Sequence, residues 1–119
     1  MQKKKKIVFL CHGGRWANSA EAEFREFLES KGLARRFDIC SVGIVANLAF
    51  LKRELEGASL VVSPFFYKKY QSLFTRAELK KLDALRPQSK RQKVLFEKSG
   101  SNFDLEKTFV EVLKRALSQ

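Results

Sequence analysis

The stretch Cys11-His-Gly-Gly-Arg-Trp-Ala-Asn-Ser19 gathers most of what this chain offers for chemistry. A cysteine closes an apolar run, two glycines follow, and a helical pattern opens about eight residues later. That order suits an anion. Glycines let backbone N–H groups turn inward as a nest, and the start of a helix adds positive potential. The same field stabilises a thiolate, the nucleophilic form of a cysteine. Cys11 is therefore the candidate nucleophile. The N–H groups of His12, Gly13, Gly14, Arg15 and Trp16 form the candidate anion cradle, with charge added by the side chains of His12 and Arg15. Asn18 and Ser19 are placed to orient the loop and the sulfur by hydrogen bonds. Each residue also has a plainer reading. A cysteine at a strand end is often a small hydrophobe, Gly-Gly is often a turn, His12 suits a surface, and Trp16 suits packing over the loop. One histidine and two separated cysteines, Cys11 and Cys40, supply no tetrahedral ligand set, so neither a metal nor another cofactor is expected.

The elements that must position this loop are legible in the hydropathy pattern. Ile7 to Cys11 is a continuous apolar run, the mark of a strand buried on both faces. Ala20, Phe24, Phe27 and Leu28 fall on one helical face over residues 20–31, with Asn18 or Ser19 as the cap, Glu21 and Glu23 near the positive end, and Gly32 as the stop. Strands are expected at Phe37 to Ser41, Ala58 to Ser63 and Val94 to Phe96. Helices are expected at Ala46 to Leu55, at Phe65 to Leu85 with a break near Thr75, and at Asp104 to Leu117 behind an Asn102 cap. Pro87 to Gln92 reads as a basic loop. Alternating strands and helices imply an α/β fold in three layers, a four-stranded parallel sheet with helices on both faces and flavodoxin-like winding. Ligands of such folds sit beyond the carboxyl ends of the strands, which is where Cys11 stands.

Composition bounds the rest. The chain's 119 residues suit one domain spanning 1–119, with residues 1–6 as a basic N-terminal extension. Hydrophobic content of 45% supports a core without disulfide or metal staples. No apolar run reaches the length of a membrane span or of a secretory signal, so a cytoplasmic chain with reduced thiols is expected. The formal charge is +11, concentrated in Lys3 to Lys6 and in nine basic residues between Tyr67 and Lys93. Such a surface either solubilises the chain or attracts phosphates, nucleic acid or acidic proteins, here through Lys80, Lys81, Lys90 and Arg91. Aromatic and basic residues interleave from Phe65 to Tyr70, but Phe66, Tyr70 and Phe74 also repeat at a core-like spacing.

From Lys6 to Ile44 the sequence resembles the opening of the low-molecular-weight protein tyrosine phosphatases. Those proteins place an apolar strand before the nucleophilic cysteine, then the loop C-x5-R-S, an Ala-Glu-Ala helix start, a Gly-Leu at its end, and Ser-Ala-Gly after strand two. Cys11, Ala20-Glu21-Ala22, Gly32-Leu33 and Ser41-Val42-Gly43 fall in that order. The resemblance implies a phosphatase fold, a phosphate or phosphorylated substrate, a phosphoric monoester hydrolase activity if the site is competent, and Cys11 as nucleophile.

The departures fall on catalysis. The phosphate-forking arginine, six residues after the cysteine, is matched by Ala17, and the serine after it by Asn18. The loop is one residue shorter. Arg15 is the nearest guanidinium, and a fork geometry does not transfer between positions. The family's general acid is an Asp after strand four, where this chain offers Glu97 instead. Weak or absent turnover is expected. Two alternatives remain open: a phosphocarrier like the cysteine-phosphorylated B subunits of sugar phosphotransferase systems, whose loop needs no arginine, and a non-enzymatic module binding nucleic acid or an acidic partner.

Overall fold

The computed structural model describes residues 4–13, 15–63, 71, 72, 74–89, 93–95, 98, 99, 102, 103 and 105–118. The apolar run forms β1 (Lys5–Cys11), which opens two residues ahead of Ile7, so the last two lysines of the basic run are strand residues. Next come α1 (Arg15–Ser30), a 3-10 turn at Ala34–Arg36, β2 (Phe37–Gly43), α2 (Leu48–Leu55) and β3 (Ala58–Ser63). The chain closes with α3 (Arg76–Ser89), β4 (Lys93–Leu95), the short strands β5 (Lys98–Ser99) and β6 (Asn102–Phe103), and α4 (Leu105–Ser118).

Strands one to four form one sheet in the order β2-β1-β3-β4, every pair parallel. Alternation along β1 sorts the core into two layers. Ile7, Phe9 and Cys11 face α1 and α4, where they meet Ala17, Phe24, Leu28, Phe109, Val112 and Ala116. Val8 and Leu10 face α2 and α3, where they meet Leu51, Leu55, Phe74, Leu82 and Leu85. The aromatic rings of Phe9, Phe24 and Phe109 pack edge-on or tilted, with centroids 5.1–6.5 Å apart. The expected three-layer, four-stranded winding is therefore present. Because β2 and β3 lie on opposite sides of β1, the crossover reverses at β1, and the crevice beyond its carboxyl end is where such folds bind ligands.

Several boundaries differ from the sequence expectation. Helix α1 opens at Arg15, so Asn18 and Ser19 are not its cap, and Glu21 and Glu23 lie beyond its first turn. The reason is Ala17: residues 17, 20, 24 and 28 form one buried stripe, which carries the helix a turn further back. At the other end Gly32 stops the helix as expected. It adopts φ +70°, and Leu33 N–H bonds Leu28 C=O while Gly32 N–H bonds Glu29 C=O, the closure that only a left-handed residue allows. Helix α3 continues through Ser89, so the segment expected as a basic loop is helical at its start. Asn102 pairs with Ser99 in an antiparallel hairpin and does not cap α4. The expected helical segment 65–70 lies outside the described residues.

Candidate functional site

Cys11 ends β1 with only 2% of its surface exposed. Its carbonyl accepts Ile44 N–H at 2.8 Å, and the next carbonyl, of His12, accepts Val45 N–H at 3.2 Å, so the turn after β1 is laced to the turn after β2. The chain then enters α1 four residues beyond the cysteine. Ala17 N–H, in the first turn, donates to Cys11 Sγ at 3.4 Å. The sulfur thus sits at the positive end of a helix whose first turn holds no acidic residue.

The side chains expected around the sulfur divide between the two faces of the sheet. Cys11 belongs to the α1 layer. His12 turns to the α3 layer, where its ring lies 5.1 Å from the Phe74 ring and its Nε2 stands 2.8 Å from Glu78 Oε2. Nε2 is buried, and the Glu78 carboxylate stands directly against it. The His12 ring therefore lies on the α3 side of the sheet, against Phe74 and the Glu78 carboxylate, and away from the layer that holds Cys11. Gly13 has open space around it and does not take the left-handed backbone found at Gly32 and Gly57. Gly14 lies outside the described residues. Arg15 is exposed at the start of α1, and Trp16 packs against the core, as its plainer reading had it. Ser41 Oγ and Asn18 Oδ1 are hydrogen-bonded, tying α1 to β2, while Ser19 is exposed on α1. Glu97, Lys90 and Arg91 lie outside the described residues.

Position 17 explains the missing fork in structural terms. The Ala17 methyl is fully buried between sheet and helix, so this position faces the core and not the crevice. Of the two cysteines, Cys40 is the inert one. It lies within β2, its thiol meets Glu54 Oε2 at 3.8 Å, and burial pushes its pKa up to about 11.

Sequence reasoning missed Glu78. Its Oε1 accepts Thr75 N–H at 2.8 Å, and Thr75 Oγ1 accepts Glu78 N–H at 3.2 Å, a reciprocal cap on α3. The signal is visible in Thr75-Arg-Ala-Glu78, a capping-box spacing. The carboxyl is held below its usual range, first by the Thr75 backbone N–H and next by His12. Lys81, expected on a free basic face, instead donates to the carbonyls of Ala46 at 2.9 Å and Ile44 at 3.3 Å. Lys80 is exposed. Among the described residues no cluster of three or more His, Cys, Asp or Glu side chains could hold a metal, and no helix is long and apolar enough to cross a membrane.

No family model matches this sequence, and no curated protein is significantly similar to it. Among solved structures, the chain is similar to the arginine phosphatase YwlE, in a mutant form with a phosphorylated active-site serine. The two are 15% identical, 93% of this chain and 90% of the other are covered, and the TM-score is 0.52. That likeness defines the class of fold: an α/β domain of the low-molecular-weight phosphatase type. Two further likenesses carry no argument at their TM-scores. One is a low-molecular-weight protein tyrosine phosphatase from Bacillus subtilis, 18% identical over 95% of this chain and 94% of the other, with a TM-score of 0.46. The other is a TIR-domain heterodimer of RPS4 and RRS1, 18% identical over 93% and 78%, with a TM-score of 0.45. A shared fold does not by itself transfer an activity.

Proposed function

We propose that this chain is a divergent phosphatase-fold protein whose Cys11 loop binds an oxyanion such as phosphate, with weak or no hydrolysis of phosphate esters. The observation that carries the reading is the Ala17 N–H on Cys11 Sγ at the start of α1, at the carboxyl end of the strand where the winding reverses. The fold likeness to an arginine phosphatase supports phosphorylated compounds as the class of ligand. The candidate cradle is the run of backbone N–H groups from His12 to Trp16, of which Gly14 lies outside the described residues. Arg15 adds charge, and Asn18, held by Ser41, steadies the first turns of α1. No metal or cofactor takes part in this reading.

Hydrolysis on such a site runs in two displacements. The Cys11 thiolate attacks phosphorus as the ester oxygen departs with a proton from a general acid, and water then attacks the phosphocysteine and returns the thiolate. Both displacements spread negative charge over the phosphoryl oxygens, which is what a guanidinium fork stabilises. With a buried methyl at position 17, roughly 10²–10⁴ in rate is lost. Glu97 is the candidate general acid, and lack of a working acid costs a similar factor.

Turnover of an aryl phosphate tests the reading. Expected is a rate at least about 100-fold below that of an intact phosphatase of this fold. Robust turnover by the unmodified chain, abolished in Cys11→Ser, would contradict it and make Arg15 the fork. Covalent phosphocysteine formed from a phosphocarrier protein would instead favour the phosphotransferase alternative.

A further inference from the structure

We propose that Glu78 is a positioning residue for the Cys11 loop, acting through His12. The inference rests on the reading of that loop as the functional site. Its geometric basis is the division of labour between the two carboxylate oxygens. Oε1 closes the cap of α3 on Thr75 N–H, and Oε2 stands against His12 Nε2. His12 directly follows Cys11, and its carbonyl receives Val45 N–H. One carboxylate therefore joins three things: the start of α3, the turn after β1, and through it the turn after β2. Lys81, one turn further along α3, repeats the link by holding the carbonyls of Ile44 and Ala46. Phe74 closes the other side of the imidazole.

A cap needs only one oxygen, and glutamine caps as well as glutamate. The second contact is thus separable from the first. The Glu78 side chain is 14% exposed and that of His12 36%. Nε2 is buried, and the Glu78 carboxylate oxygen is the group it faces, at 2.8 Å. Among the described residues, the charge brought against His12 is that of Glu78, on α3. Residues 44–47 bring none. The loop is then held to α3 through the contact between His12 and Glu78.

Backbone amide exchange in the full-length chain tests this without any anion, so failure of the anion reading and failure of this one are separate results. The probes are the amides of Ile44 and Val45, which bond the Cys11 and His12 carbonyls, compared with Leu82 inside α3. In Glu78→Gln, exchange at Ile44 and Val45 should quicken about fivefold at pH 6 while Leu82 stays within about twofold. His12→Gln should reproduce the effect, and adding it to Glu78→Gln should add nothing. Unchanged exchange at Ile44 and Val45 would overturn the proposal. So would equal loosening of Ile44, Val45 and Leu82, which would make Glu78 a helix cap and no more.

Discussion

At the position where the resemblance calls for a phosphate fork, this chain carries a buried methyl. Ala17 lies six residues after Cys11, where the resemblance calls for arginine, yet its side chain is part of the core stripe of α1. Simple restoration therefore fails on physical grounds. Ala17→Arg would drive a guanidinium among Phe24, Cys11 and their neighbours, with an expected loss of about 3 kcal/mol or more. Denaturant unfolding should show that loss, and aryl phosphate turnover should not rise. The two thiols make a second contrast. With its pKa near 11, about one Cys40 in a thousand is ionised at pH 8, so its alkylation should be slow and quicken about tenfold per pH unit up to pH 10. Peptide mass spectrometry after graded alkylation reads this directly. Cys40 reacting ahead of Cys11 at pH 8 would contradict the assignment of Cys11 as the chemical thiol. Glu78 gives a third residue-scale test. Its folded pKa is depressed, so its contribution is fully present above the usual carboxylate value of 4.5 and is lost as pH falls through the folded value. The stability difference between the native chain and Glu78→Gln should thus shrink on acidification below about pH 4.5, as read from denaturant midpoints.

The elements were legible in the sequence wherever a pattern ran long enough. Ile7 to Cys11 and Ala58 to Ser63 are unbroken apolar runs, and Phe109, Val112 and Ala116 share one face of α4, so these emerged with the right type and near-right ends. The start of α1 was obscured because Asn18 and Ser19 look like caps, and the residue that extends the helix, Ala17, is too small to register in a hydropathy pattern. The hairpin of β5 and β6 pairs only two residues a side, too few for alternation to show. The Ser99-Gly100-Ser101-Asn102 run was its visible turn signal. The meeting of His12 with Glu78 depends on how α3 lies across the sheet, which no local pattern encodes. The cap itself was readable from Thr75 and Glu78. Thr75→Ala should cost about 1 kcal/mol by loss of the bond from Glu78 N–H, measurable by thermal or denaturant unfolding. Because Glu78 still faces His12 in that variant, the amides of Ile44 and Val45 should keep most of their protection.

At the scale of the whole molecule, the formal charge is +11, which favours the approach of the anion proposed for the Cys11 turn. Long-range attraction of this kind steers anions of any sort and fades with salt. The structure narrows which residues belong to a mobile positive surface: Arg76 and Lys80 are exposed on α3, whereas Lys81 is committed to backbone carbonyls. The central claim is that the turn from Cys11 into α1 binds an oxyanion. The measurement that addresses it most directly is a sulfate titration of the chain followed by backbone amide shifts, sulfate keeping its charge across the neutral range. The account predicts saturable shifts concentrated on residues 12 to 17, weakened when salt is raised from about 50 to 200 mM. Shifts confined to exposed lysine and arginine neighbourhoods, with residues 12 to 17 unmoved at millimolar sulfate, would contradict it.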